Sequence, residues 1–241
     1  MANLILNTLL KKKKINSKLT HKHHNYSHLN RQVEELSRIN LPNIGFDDFI
    51  ETIKSSENFP MFIEIMNNIQ MDYIYKSHTH GIFHNERVAL ISFYIANKMN
   101  LNKRDTELAL YAAMYHDIGR VDDFYDEEHG ERSAKMLDKL NLPVDNEELN
   151  ILKAAIFGHS IDDRYFERIC SHFEIKDMER CINIFNILKD SDGLDRVRLP
   201  WPYVSGTFLR TPNAPALIPV AYELENAYEI LEEELNSEGE K

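Results

Sequence analysis

The sequence predicts an all-α fold, and three observations lead there. From Phe46 onward, apolar residues recur at the i, i+3, i+4 and i+7 spacing of helices with one buried face. No stretch of useful length alternates apolar and polar residues as a half-buried strand does. Capping and breaking residues, such as Asn141-Leu-Pro143, separate the helical segments. The chain has 241 residues, 43% hydrophobic and 28% charged, enough to bury a core and keep a solvated surface.

Residues 1–44 read as a basic, histidine-rich leader of low order. Residues 1–33 hold six lysines and one arginine but no acid, so about −18 of formal charge falls on the rest of the chain. His21, His23, His24 and His28 have no apolar scaffold around them. One short helix is expected near Gln32 to Arg38. The main domain is expected over residues 45–236. Asp47 can cap a helix from Asp48 to Lys54. Met61 to Tyr75 carries apolar residues at helical spacing. A helix from His84 to Met99 places Val88, Ile91 and Ile95 on one face. Asn102 to Arg104 is polar punctuation before an alanine-rich helix from Asp105 to His116. Short helices follow at Gly130–Leu140, Asn146–Gly158, Asp162–His172 and Met178–Asp190. Residues 200–219 hold five of the eight prolines, so an irregular excursion is expected there, placed to act as a lid. A last helix runs from Pro219 to Leu235.

Several function classes are disfavoured. Cys170 and Cys181 are the only cysteines, so no disulfide framework is implied and a reducing cytoplasm fits. The longest apolar run, Val88 to Ala96, is broken by Ser92 and is too short to span a bilayer. The N-terminal apolar residues precede the lysines, the reverse of a secretory signal. A body this acidic repels nucleic-acid phosphates, so stable nucleic-acid binding is not expected.

Six residues carry the chemistry: His84, His116, Asp117, His129, His159 and Asp190. His159 continues the stripe Leu152, Ala155, Ile156. His84 shares a face with Val88, Ile91 and Ile95, and His116 shares one with Ala109, Ala112 and Ala113. Asp190 ends Ile182–Leu188, which is apolar on nearly every side, and an unpaired carboxylate buried there would be costly. His129 stands before Gly130 at the mouth of its helix. Four imidazoles and two carboxylates suit divalent metals and suffice for two adjacent ions.

The stretches His84-Asn-Glu-Arg-Val88, Tyr115-His116-Asp117-Ile118-Gly119-Arg120 and Lys189-Asp190-Ser-Asp-Gly-Leu-Asp-Arg196 resemble the HD-domain metal-dependent phosphohydrolases over residues 78–200. The added His129 and His159 resemble the two-metal branch of that family. The resemblance implies a helical bundle with a metal centre between helix ends and Asp117 bridging two ions. Histidine and carboxylate ligation favours iron or manganese, with cobalt and nickel compatible. Ions so placed share a hydroxide and clamp phosphoryl oxygens. The implied activity is hydrolysis of a phosphomonoester or phosphoanhydride of a nucleotide or small metabolite.

Asp117, Arg120 and Lys189 are the candidate catalytic residues, and His80, Arg87, Arg196 and Arg210 the candidate substrate contacts. Asp122 and Asp123 are candidates for carrying protons or orienting an imidazole. No Gly-Tyr-Pro follows the late histidines, which argues against a cyclic di-GMP phosphodiesterase of the HD-GYP type. The same ligand set also occurs in HD-fold di-iron oxygenases, and a non-catalytic regulatory module is a third reading. The phosphate-ready arginines near Asp190 favour hydrolysis.

Overall fold

A computed structural model describes residues 4–11, 44–199 and 204–239. Among these it contains ten α-helices and no strand. They are α1 (Leu4–Lys11), α2 (Phe46–Ser55), α3 (Phe59–Asn67), α4 (Ile82–Lys98), α5 (Lys103–Tyr115), α6 (His129–Met136), α7 (Asn146–His159), α8 (Phe166–His172), α9 (Met178–Asp195) and α10 (Ile218–Gly239). The expected helix at Gln32–Arg38, the histidine tract and most of the basic leader lie outside the described residues. No described helix is long and apolar enough to cross a membrane.

Four local expectations are corrected. Residues 4–11 form a helix rather than a low-order leader, because Leu6, Leu9 and Leu10 are buried and the helix packs on α10. Helix α2 begins at Phe46 behind Gly45 without a side-chain cap, and Asp47 and Asp48 instead lie in its first turn, where the helix dipole favours carboxylates. Helix α3 stops at Asn67, since Asn67 and Asn68 are weak helix formers, and Met71–Tyr73 forms a separate 3-10 turn. Helix α9 continues past Asp190 to Asp195.

Helix α4 lies at the centre, with every residue from His84 to Ala96 buried. Helices α5 and α9 pack on it, α7 packs on α5 and α9, and α6 covers α7. Two glycines let α6 come close. A Cβ at Gly119 would sit 2.3 Å from the backbone nitrogen of Ser133, and one at Gly130 would sit 2.8 Å from the carbonyl of Ile156. Any side chain at Gly130 would therefore push the start of α6 off the end of α7.

Helices α5, α7 and α9 run in the same direction because their first turns are tied together. Glu148 of α7 accepts from Arg104 Nε of α5 at 2.8 Å and from Arg180 Nη2 of α9 at 2.9 Å. It also completes a capping box with Asp145. The C-terminal ends of the same helices then gather about 20 Å away, the length of α7.

The hydrogen bonds from Arg104 hold Glu148 down from the ordinary glutamate value of 4.5 to about 2. A depressed carboxylate stabilises the fold fully above its unfolded pKa, and that stability is lost as pH falls through the folded one. Glu148→Ala should cost about 3 kcal/mol at neutral pH, because it leaves two arginines without their buried partner. Urea unfolding from pH 7 down to 3 should show wild-type stability dropping below about pH 4.5. The variant should lack this part of the drop.

Candidate metal centre

Five of the predicted ligands converge where these helix ends meet. His84 comes from the first turns of α4, His116 caps α5, and Asp117 follows it. His129 opens α6 and His159 closes α7. All five are buried.

Each imidazole is oriented by an acceptor on its Nδ1 side. Nδ1 of His84 lies 2.7 Å from Asp195 Oδ2, and that of His116 lies 2.7 Å from the carbonyl of Ala113. Nδ1 of His159 lies 2.5 Å from the carbonyl of Ile156, and that of His129 faces the carbonyl of Asp126. Carbonyls and carboxylates only accept, so every Nδ1 carries the proton and every Nε2 presents a lone pair. These lone pairs then meet in twos: His84 and His116 Nε2 are 3.0 Å apart, and His129 and His159 Nε2 are 2.9 Å apart. Two lone pairs at that distance repel unless a cation lies between them.

Asp117 joins the two groups. Its Oδ2 lies 3.6 and 3.7 Å from Nε2 of His84 and His116, and its Oδ1 lies 3.2 and 3.7 Å from Nε2 of His129 and His159. Oδ1 is buried without a hydrogen-bond partner. A buried, unsatisfied carboxylate oxygen among lone pairs is a cost that a divalent ion removes. The donor set fits such an ion.

Burial keeps both His84 and His159 neutral, the first well below the ordinary imidazole value and the second at about 4. Ionised carboxylates and neutral imidazoles are the protonation states that metals bind.

The carboxylate that completes the cluster is Asp192, not Asp190. Asp192 Oδ1 lies 3.4 Å from Nε2 of His84 and 3.8 Å from Nε2 of His116, and it groups with His116 and His159. Asp190 is buried but points elsewhere. It accepts from the backbone nitrogens of Arg210 and Thr211 at 2.9 and 2.6 Å and from the Thr211 hydroxyl at 2.8 Å. Residues two apart on a helix face different sides, so only one of these aspartates can face the centre. The apolar run before Asp190 suggested that the helix ended there. Its continuation to Asp195 brings Asp192 onto the centre.

Arg87 is not placed to touch substrate. It is buried, and its Nε and Nη2 donate to Asp195 at 2.7 and 3.0 Å. The chain Arg87–Asp195–His84 instead fixes the His84 ring, and sequence reasoning missed Asp195. Arg120 Nε lies 3.0 Å from Asp117 Oδ2. His80 is buried beside the centre, with its Nδ1 2.9 Å from Asp123 and its ring centroid 6.0 Å from that of His84. Lys189 and Arg210 both contact Asp163, at 2.5 and 2.7 Å. A cavity of about 290 Å³ opens beside the centre, lined by His159, Asp192, Lys189, Arg196, Arg210 and Phe208 among others.

The two aspartates should behave differently when neutralised. Asp192→Asn should lower divalent-metal affinity by about 100-fold or more, above the range for an outer partner. Asp190→Asn should leave metal content intact and lower stability by about 1–3 kcal/mol, because the Arg210 and Thr211 donors lose their charged acceptor. Elemental analysis after dialysis, paired with urea unfolding, separates the two outcomes.

Neither a curated protein nor a solved structure matches the chain. One family model, described as HD domain, matches residues 81–197, a span that contains all six residues of the cluster. The order His84, His116-Asp117, late aspartate agrees with that match, and most HD-superfamily members are metal-dependent hydrolases. Residues 81–197 of this chain match the HD-domain family, and the His/Asp cluster they carry is compatible with an HD metal site.

Proposed function

We propose that this protein is a metal-dependent phosphohydrolase that cleaves a phosphomonoester or phosphoanhydride of a nucleotide or small metabolite. The observation that carries the reading is the sharing of Asp117 between two groups of buried, proton-free donors, beside a cavity with a cationic wall. Two divalent ions would be held, one by His84, His116, Asp117 and Asp192, the other by Asp117, His129 and His159. Iron or manganese suits this mixture of imidazole and carboxylate best, with cobalt and nickel compatible. When bound, such ions supply an activated water and neutralise phosphoryl charge.

The protein's own residues would do the rest. With two ions the centre is net positive against Asp117 and Asp192, so an anion is its natural occupant. Arg120, beside Asp117, would meet a phosphoryl oxygen at the centre. Lys189 adds a second cation at the cavity wall. His80, held by Asp123, is the nearest imidazole outside the donor set and would contact the substrate from the other side. No Ser or Cys nucleophile is needed for this chemistry.

The reading predicts about two metals per chain and manganese-supported phosphate release from at least one member of a nucleotide panel. His116→Ala should lose the metals and at least about 1,000-fold of the activity, since it removes a donor from the group with His84. Elemental analysis of protein purified without a histidine tag, with a phosphate assay, checks both. Two irons with oxygen uptake and no phosphate release would move the assignment to an oxygenase. One metal or none would remove the role given to His129 and His159.

A further inference from the structure

The cavity beside the metal centre holds three cations, and they are not equivalent. Lys189 Nζ is committed to Asp163 and to the carbonyl of Ile161, each at 2.5 Å. Arg210 is committed to Asp163 at 2.7 and 2.9 Å, and its Nη1 reaches Asp190 at 3.3 Å. One exposed carboxylate thus offsets both cations on that wall. Arg196 is exposed, lines the same cavity, and makes no side-chain hydrogen bond or ion pair among the described residues. It follows Asp192 by four residues, across the end of α9 and the turn Arg196–Arg198. That spacing puts two side chains on one face with Cβ atoms about 5–6 Å apart.

The floor of the cavity, His159 and Asp192, belongs to the donor set. Its apolar side is Val204, Phe208 and Leu209. An anion at the metals therefore has an uncommitted guanidinium one helical turn away, while the other two cations of the cavity are already paired. A second phosphoryl group beside one held at the metals would give Arg196 a partner. A guanidinium fork suits a second phosphoryl group.

We infer that the substrate carries a second phosphoryl group on the leaving-group side of the scissile bond, and that Arg196 recognises it. This rests on the hydrolase reading above and narrows it to phosphoanhydrides and bisphosphates. In the step itself, the oxygen of water forms a new P–O bond and the bond to the leaving oxygen breaks. The leaving oxygen ends protonated at the expense of that water, so no oxidant or further reactant is needed.

The test uses the full chain loaded with manganese and compares Arg196→Gln with wild type. Arg196 is solvent-exposed, so the variant should fold, and thermal unfolding checks this. Two readouts are taken. The first is the ratio of kcat/KM for a nucleoside diphosphate over the matching monophosphate. The second is the ratio of dissociation constants for orthophosphate over methylenediphosphonate, a diphosphate that cannot be hydrolysed at its bridge. Wild type should favour the two-phosphoryl member in both, and Arg196→Gln should shrink each ratio by about tenfold or more, the usual worth of a charge-assisted contact. Ratios within twofold of wild type in the variant would overturn the subsite and leave the hydrolase reading standing. No phosphate release from any substrate, with the methylenediphosphonate preference still lost in Arg196→Gln, would overturn the hydrolase reading and keep the subsite.

Discussion

The structure is organised around one electrostatic constraint. Four buried imidazoles aim unprotonated Nε2 atoms at one another in two groups, and the Asp117 carboxylate stands between the groups. Without a cation, that arrangement sets lone pairs against lone pairs and leaves Asp117 Oδ1 buried and unsatisfied. With divalent ions, the same arrangement becomes a ligand set. The neighbouring features make sense as devices for holding these atoms together against their repulsion.

The helices do this from both ends. Glu148 binds the first turns of α5, α7 and α9, and near the other ends of these helices His116, His159 and Asp192 come together. A helix C-terminus exposes carbonyls without intrahelical partners and carries the negative end of the dipole. Here two such carbonyls, of Ala113 and Ile156, accept from Nδ1 of His116 and His159. The helix ends thus fix the tautomers and favour positive charge at the centre. Gly130 lets α6 close on α7, which brings His129 against His159. Asp195 performs for His84 what the carbonyls do for the others, and Arg87 offsets its charge. The cationic wall formed by Lys189, Arg196 and Arg210 lies outside this framework, lining the cavity beside the centre.

Much of this was legible in the sequence because it follows from helical periodicity. The stripe Leu152, Ala155, Ile156, His159 points inward in the structure as the spacing requires, and His116 sits above Ala112 and Ala113. Periodicity could not say where α9 ends, and that error displaced the late carboxylate from Asp192 to Asp190. The spacing did contain a clue, since Asp190 and Asp192 cannot share a face. The roles of Arg87 and Asp195 depend on a contact between residues 108 positions apart, which no local pattern encodes. The packing of Leu6, Leu9 and Leu10 on α10 is hidden for the same reason. The lysines that follow this short apolar stretch made it read as solvated.

The central claim is that Asp117 bridges two cations whose remaining donors are those named here. The most direct measurement is a crystal of the manganese-loaded protein with anomalous scattering recorded at the manganese edge. The account predicts two peaks flanking the Asp117 carboxylate, one against His84, His116 and Asp192 and the other against His129 and His159. A single peak, no peak, or a cation bound by Asp190 in place of Asp192 would contradict it.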